Sequence, residues 1–144
     1  MSSLPEVPPH LEPEMRRCLI VDDSRVVRSV ARRFIEPLGF AVDEAGDGQL
    51  AVVACDQEMP DVILLDWNMP VMTGIEFLLY LRARDDGGRP IVIMCTTEKD
   101  IDHIHQAIAA GANEYLVKPF DQATLTAKFG KVGLMAVDLQ ASSA

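Results

Sequence analysis

Short apolar runs alternate with amphipathic stretches along most of this chain, and this alternation is the strongest constraint on its fold. The runs are residues 18–21, 62–65 and 91–95, with weaker ones at 41–45 and 114–117. Runs of four or five apolar residues are typical of strands that are buried on both faces of a parallel sheet. The stretches between them repeat apolar residues at three- and four-residue steps, which predicts helices. Five strands alternating with five helices predict a doubly wound α/β domain with one five-stranded parallel sheet.

Capping residues place several ends of the predicted helices. Asp47 and Asp121 are the predicted N-caps of the second and fifth helices, because a carboxylate accepts hydrogen bonds from the free backbone N–H groups of a first turn. Gly111 is the predicted C-cap of the fourth helix. The predicted first, third and fourth helices cover residues 26–35, 74–83 and 100–110.

The chain has 144 residues, a length that fits one domain. Residues 1–14 contain four of the nine prolines, three glutamates and no lysine or arginine. Such a segment buries too little surface to offset its loss of conformational entropy, so we expect a disordered tail. The folded domain is then residues 15–135, with Met15 as a candidate natural start, and residues 136–144 form a flexible C-terminal tail.

Charge and cysteine content limit the class and the location of the protein. A formal net charge of −9 argues against DNA or an anionic membrane as a partner of the whole surface. No apolar run approaches the roughly 20 residues of a membrane span, so we expect no membrane insertion. The N-terminus lacks the apolar core of a signal peptide, and the three cysteines form no CxxC pair. These features predict a cytoplasmic protein whose cysteines are small core residues.

Chemically active residues follow four of the five predicted strands. Asp22 and Asp23 come after the first strand, Asp66 after the third, Thr96 after the fourth and Lys118 after the fifth. Function gathers beyond the carboxyl ends of parallel strands, so we expect these side chains to converge. Carboxylates that lie close together repel one another and need a cation, protons or another neutralising arrangement. Ligand sets of oxygen alone favour Mg²⁺ or Mn²⁺ over zinc. With a lysine to meet an incoming anion, the pattern indicates phosphoryl transfer onto a carboxylate.

Four segments carry a resemblance to a known family. They read CLIVDDSR from Cys18, VILLDWNMPVMTGIEFL from Val62, IVIMCTTEKD from Ile91 and GANEYLVKPF from Gly111. Together they resemble the receiver domain of response regulators, and among these the stand-alone, CheY-like chemotaxis type. The likeness covers about residues 16–134. It implies a flavodoxin-like fold and a signalling protein that promotes only its own phosphorylation and dephosphorylation, rather than an enzyme.

The resemblance implies a role for each residue of the acidic cluster. Asp66 would be the phosphorylated residue. One Mg²⁺ ion, with Mn²⁺ as a substitute, would be bound by Asp23, Asp66 and the backbone carbonyl of Asn68, while Asp22 would act mainly through a water molecule.

The resemblance also implies roles for residues around the cluster. Thr96 and Lys118 would contact the phosphoryl oxygens, and Thr96 would act with Tyr115 as a conformational switch. Asn68 and Glu98 occupy positions that tune dephosphorylation in the family. They match the chemotaxis-type pair, which implies a short-lived phosphorylated state.

The implied partners are proteins. A histidine kinase or a histidine phosphotransfer protein would supply the phosphoryl group. An output protein would dock on the face built from the fourth helix, the fifth strand and the fifth helix, and the candidate contacts there are Ile101, Ile104, Tyr115 and Lys128. We expect a monomer, and the chemotaxis type implies control of a flagellar motor.

Other functions share parts of this pattern. A flavodoxin-type cofactor binder needs a phosphate loop rich in Ser, Thr and Gly after the first strand, where this chain has Asp22 and Asp23. A phosphatase of the haloacid dehalogenase type needs a second carboxylate at the position of Asn68. A receiver-shaped scaffold that is never phosphorylated, and a phosphate sink or relay intermediate in a stress or cell-cycle circuit, are further alternatives.

The first predicted helix carries an arginine face that includes Arg25, Arg28 and Arg32. The simpler interpretation is a solvated face that counters the acidic total. The alternatives are a docking site for an acidic partner and a site for a nucleotide second messenger. We expect Trp67 to be partly buried. His103 and His105 lie two residues apart on a predicted helix and so point to different sides, which predicts solvated surface residues rather than metal ligands.

Overall fold

A computed structural model describes residues 16–97 and 101–134, so the predicted tails lie outside the described residues. Five parallel strands form one sheet in the order β2-β1-β3-β4-β5. The strands are β1 (Arg16–Val21), β2 (Phe40–Ala45), β3 (Val62–Asp66), β4 (Ile91–Thr96) and β5 (Glu114–Val117). The helices are α1 (Arg25–Ile35), α2 (Gly48–Gln57), α3 (Gly74–Ala83), α4 (Ile101–Ala110) and α5 (Gln122–Lys131), with a short 3-10 helix over Glu36–Leu38. The predicted doubly wound, flavodoxin-like fold is confirmed.

The central strands of the sheet are buried on both faces, which explains their apolar runs. Every residue of β3 is buried, and only the first residue of β4 is partly accessible. On one face, residues such as Leu19 pack with α2, α3 and α4, while on the other face residues such as Ile20 pack with α1 and α5. All three cysteines are buried, as predicted. In the described part of the chain, no helix has the length and apolar character to cross a membrane.

Side-chain caps fix the starts of the helices. Asp47 accepts a hydrogen bond from the backbone N–H of Leu50 at 2.8 Å, and Asp121 accepts one from Thr124 at 2.8 Å, so both predicted caps are confirmed. Gly111 directly follows α4 with a φ of 116°, a left-handed conformation that favours glycine. Two further caps, Ser24 before α1 and Thr73 before α3, were not predicted.

A glycine brings the start of α3 against the end of β3. A Cβ atom at Gly74 would lie 2.2 Å from the carbonyl oxygen of Asp66, so a larger residue cannot occupy this position without moving the backbone. The Gly74 N–H also donates to the Trp67 carbonyl at 2.9 Å. Residues 67–73 therefore form a tight loop beside the carboxyl end of the sheet.

Arg82 on α3 ties together parts of the chain that are far apart in sequence. Its guanidinium donates to the Gly111 carbonyl at 3.0 and 2.9 Å and to the Gly87 and Pro90 carbonyls at 2.6 and 2.9 Å. It also donates to the side-chain oxygen of Asn113 at 3.0 Å. One cation therefore joins α3, the loop before β4 and the turn between α4 and β5.

Replacing Arg82 by methionine is expected to lower the free energy of unfolding by about 2–4 kcal/mol, because several partly buried acceptors lose a charged donor. Urea unfolding followed by circular dichroism measures this change. The exposed Arg89 provides the matched control, and Arg89→Met should change the free energy of unfolding by less than about 0.5 kcal/mol. Equal effects of the two substitutions would contradict the role of Arg82.

Val71 has a strained backbone in the loop between β3 and α3. Its φ is 71°, in the left-handed region that is unfavourable for a β-branched residue. The side chain is 77% exposed, so little packing offsets this strain.

We expect Val71→Asn to raise the free energy of unfolding by about 0.5–1.5 kcal/mol, because asparagine tolerates the left-handed region. Val71→Ala removes the β-branch but lacks the polar side chain with which asparagine bonds to the local backbone, so it should gain less. Denaturant midpoints of the three proteins test this order. The explanation fails if Val71→Asn is no more stable than the parent protein.

Candidate functional site

The structure brings the three predicted carboxylates together at the carboxyl end of the sheet. Asp22 and Asp23 follow β1, and Asp66 ends the neighbouring strand β3. One carboxylate oxygen from each residue lies within 4.8 Å of the other two. Asp22 and Asp66 are only 3% and 5% exposed, whereas Asp23 is exposed.

Lys118 reaches two of these carboxylates from the residue after β5. Its Nζ atom lies 2.7 Å from Oδ2 of Asp22 and 2.9 Å from Oδ1 of Asp66. Its backbone N–H donates to the Thr96 carbonyl at 2.8 Å, which places the end of β5 beside the end of β4. The peptide bond between Lys118 and Pro119 is cis. The predicted convergence of acids and lysine is therefore present in the structure.

One ammonium faces three carboxylates, and this imbalance shapes the site's electrostatics. Burial raises the pKa of Asp66, and the charge of Asp22 adds to that effect, although the hydrogen bond from Lys118 opposes it. Burial acts to lower the pKa of Lys118, but its bonds to Asp22 and Asp66 outweigh burial and raise it. The site thus holds an excess of negative charge.

The donor set fits a hard divalent cation. It consists of carboxylate oxygens without histidine or cysteine, which favours Mg²⁺ or a similar ion. Both oxygens of Asp22 already have partners: Oδ2 accepts from Lys118 and Oδ1 accepts from the Ser24 N–H at 2.8 Å. Direct binding of a cation by Asp22 would therefore displace one of these hydrogen bonds, whereas Asp23 is exposed.

Trp67 packs beside the site against a histidine of α4. It is half-buried, as predicted, and its ring centroid lies 4.7 Å from that of His103. The prediction that His103 is a solvated residue is wrong. His103 lies one helical turn before the buried Ala107 and shares its inward face, whereas His105 is exposed.

The remaining predicted residues lie around this cluster. Thr96 is buried, Asn68 is exposed, Ile101 is 64% exposed, and Ile104, Tyr115 and Lys128 are half-buried. Glu98 lies outside the described residues. Lys128 contacts the carboxylate of Glu114, a buried acid that the sequence analysis did not identify. In the sequence, Glu114 is recognisable as a charged residue at the start of an apolar strand, but this position does not indicate Lys128 as its partner.

Two arginines of the α1 face, Arg28 and Arg32, are paired with acids. Arg28 and Arg32 lie 2.9 and 2.7 Å from Glu44, and Arg32 also lies 2.7 Å from Glu36. The hydrogen bond from Arg32 is the main cause of the lowered pKa of Glu44. These ion pairs reduce the positive charge that a nucleotide phosphate would meet, and so disfavour the second-messenger alternative.

The fold and the site together define a class: a flavodoxin-like α/β domain with an acidic cluster and a lysine at the carboxyl end of its sheet. The family model of the response regulator receiver domain matches residues 18–130, and the chain belongs to this family. It is a signalling receiver of the two-component type.

Relatives and solved structures agree with this assignment. The chemotaxis protein CheY-3 of Vibrio cholerae is 38% identical over 117 residues, which are 81% of this chain and 90% of that protein. The chemotaxis protein CheY of Pseudomonas aeruginosa is also 38% identical, over 81% of this chain and 94% of its own length. The structure of Vibrio cholerae CheY4 has a TM-score of 0.78 at 36% identity, covering 82% of this chain and 98% of that one.

A further solved structure bears on the cation. It is the receiver domain of the sensor histidine kinase PA1611 from Pseudomonas aeruginosa PAO1, described with a magnesium ion coordinated in the active-site cleft. Its TM-score is 0.74 at 30% identity, and the match covers 81% of this chain and 96% of that one.

Replacing Asp66 by asparagine is expected to stabilise the metal-free protein at neutral pH. The folded-state pKa of Asp66 is raised above the ordinary 3.8, so ionisation costs more in the folded chain than in the unfolded one, and stability falls as pH rises above that ordinary value. The amide removes this cost, and the difference should vanish below the ordinary pKa, where both states are protonated.

Urea unfolding with a chelator at about pH 7 and about pH 3 tests this expectation. Asp85→Asn, at an exposed position, is the control and should leave the pH dependence unchanged. A variant at Asp66 that is less stable than the parent protein at neutral pH would contradict it.

Proposed function

We propose that this chain accepts a phosphoryl group on Asp66 from the phosphohistidine of a histidine kinase or a histidine phosphotransfer protein, and passes the signal on by binding an output protein. The observation that carries the proposal is the position of Asp66. It is a buried carboxylate at the end of a strand, in contact with Lys118 and next to two further acids. This chain's membership in the receiver family supports the same chemistry.

In the proposed reaction, a carboxylate oxygen of Asp66 attacks the phosphorus atom. A new P–O bond forms while the P–N bond to the donor imidazole breaks, and that electron pair leaves with the imidazole nitrogen. Lys118, already within 2.9 Å of Asp66, is placed to balance charge on the phosphoryl oxygens. The Thr96 hydroxyl, buried at the end of the adjacent strand, would bind another of these oxygens.

A bound Mg²⁺ ion supplies positive charge that offsets repulsion between the carboxylates and the phosphoryl group. We assign its direct ligands to Asp23, Asp66 and the backbone carbonyl of Asn68, with Asp22 acting through water. The two occupied oxygens of Asp22 support this division. Mn²⁺ prefers the same oxygen donors and would substitute.

The proposed output face consists of α4, β5 and α5. Ile101 offers exposed apolar surface there, and Ile104, Tyr115 and Lys128 are the further proposed contacts. Phosphorylation would act on this face through Thr96 and Tyr115, while Asn68 and Glu98 would set the lifetime of the phosphorylated state. The chemotaxis relatives favour flagellar-motor control as the pathway, with the protein acting as a cytoplasmic monomer.

The test is the intact mass after incubation with acetyl phosphate and Mg²⁺. The expected result is a gain of about 80 Da, the mass of one phosphoryl group. The gain should require Mg²⁺ and should be absent from Asp66→Asn, because the amide lacks the nucleophilic oxygen. The control Asp85→Asn should be phosphorylated like the parent protein.

Rapid hydrolysis of the phosphorylated Asp66 could hide the added mass. Samples are therefore quenched in acid from the first seconds onward. If no time point shows the added mass while titration shows Mg²⁺ bound, Asp66 is not a phosphoacceptor and the proposal fails. Added mass that persists in Asp66→Asn would place the chemistry on another residue.

A further inference from the structure

Glu114 is a buried acid at the edge of the sheet that takes no part in the reaction proposed above. It begins β5, the last strand of the sheet, and is 6% exposed. Its carboxylate accepts from the Tyr115 backbone N–H at 3.0 Å and lies 3.3 Å from the ammonium groups of Lys128 and Lys131. Burial acts to raise the pKa of Glu114, but these donors outweigh it and lower the pKa. Glu114 is therefore an ionised anchor for two lysines of α5.

Lys128 makes a second contact, with the aromatic ring of Tyr115. Its Nζ atom lies 4.0 Å from the ring centroid, and its side chain is 18% exposed. A cation over a ring face is attracted by the ring quadrupole, more strongly where water is excluded. Glu114 and Tyr115 are consecutive residues of β5, so their side chains point to opposite faces of the sheet. Because Lys128 contacts both, its side chain lies at the edge of β5, between the Glu114 carboxylate and the Tyr115 ring.

Lys131 shares the acidic partner of Lys128 but is far more exposed. Its ammonium pairs with the other oxygen of Glu114 at 3.3 Å, but its side chain is 68% exposed. The structure thus provides two lysines with the same acidic partner, and the cation–π contact with Tyr115 is made by Lys128.

The strand that carries this ring also leads to the acidic site. Tyr115 pairs with Met94 across the sheet, and Val117 pairs with Thr96. Lys118, which contacts Asp22 and Asp66, is the next residue. The ring held by Lys128 therefore belongs to the same four-residue strand that positions the lysine of the site.

We propose that Glu114, acting through Lys128, is a positioning residue that holds the Tyr115 ring in the arrangement of the unphosphorylated protein. This inference rests on the proposed function, in which Tyr115 changes position when Asp66 is phosphorylated. Moving the ring away from the anchored ammonium would cost the cation–π attraction, so the anchor would favour the unphosphorylated state. The coupling is reciprocal: the free energy by which the anchor favours the unphosphorylated state is also the free energy by which its loss would strengthen binding of a phosphoryl mimic.

The test uses the position of Tyr115 and the affinity for a phosphoryl mimic. The chain contains two tyrosines, so fluorotyrosine labelling gives two ¹⁹F NMR resonances, which Tyr80→Phe assigns. Glu114→Gln keeps the side chain's size and removes its charge. It should move the Tyr115 resonance toward its position in the complex with beryllium fluoride and Mg²⁺, and lower the Kd for beryllium fluoride roughly two- to fivefold.

Matched variants separate positioning from a general loss of charge. Lys131→Met, like Lys128→Met, removes a positive charge that pairs with Glu114, yet it should leave the resonance and the Kd unchanged. Lys128→Arg retains a cation and should keep the parent values, whereas Lys128→Met should behave like Glu114→Gln. Because Glu114 acts through Lys128, the double variant Glu114→Gln/Lys128→Met should change the resonance and the Kd no more than Lys128→Met alone.

The inference is overturned if Glu114→Gln leaves both readouts at parent values, if Lys131→Met has an equal effect, or if the effects of Glu114→Gln and Lys128→Met add. The proposed function fails on a separate readout, the intact mass of the parent protein with acetyl phosphate. The two failures are therefore distinguishable.

Discussion

The ion pairs between Lys118 and the carboxylates of Asp22 and Asp66 are the interaction on which the site depends. Both carboxylates are almost fully buried, and an unpaired buried charge would consume much of a domain's net stability. The balancing cation comes from the end of β5, across β4 from Asp66, so the pairs also hold the strand ends together. Because the one ammonium pairs with two of the three acids, the site keeps an excess of negative charge that would attract a further cation.

The fold could be predicted because its strands and helices have recognisable hydrophobic patterns and capping residues in the sequence. A strand that is buried on both faces must be apolar throughout, so the run at residues 62–65 marked β3 almost completely. Helix starts at Asp47 and Asp121 were predictable because a cap depends on neighbours along the chain. The meeting of Asp22, Asp66 and Lys118 followed from topology alone, since parallel strands end on the same side of a sheet.

Contacts between distant polar side chains could not be predicted in the same way. A charged residue such as Arg82 or Glu114 is solvated by default, and only the packed structure shows which acceptors surround it. The stacking of His103 on Trp67 had one local signal that was not used, the small residue Ala107 one turn later on the same face.

The two ends of α4 are held in different ways. Beyond its C-terminal end, the Gly111 carbonyl is fixed by two hydrogen bonds from Arg82. Near its N-terminal end, His103 rests on Trp67, the residue directly after Asp66. The helix has ten residues and is about 15 Å long. Because Arg82 holds the far end, a displacement of Trp67 would act first on the N-terminal end of α4.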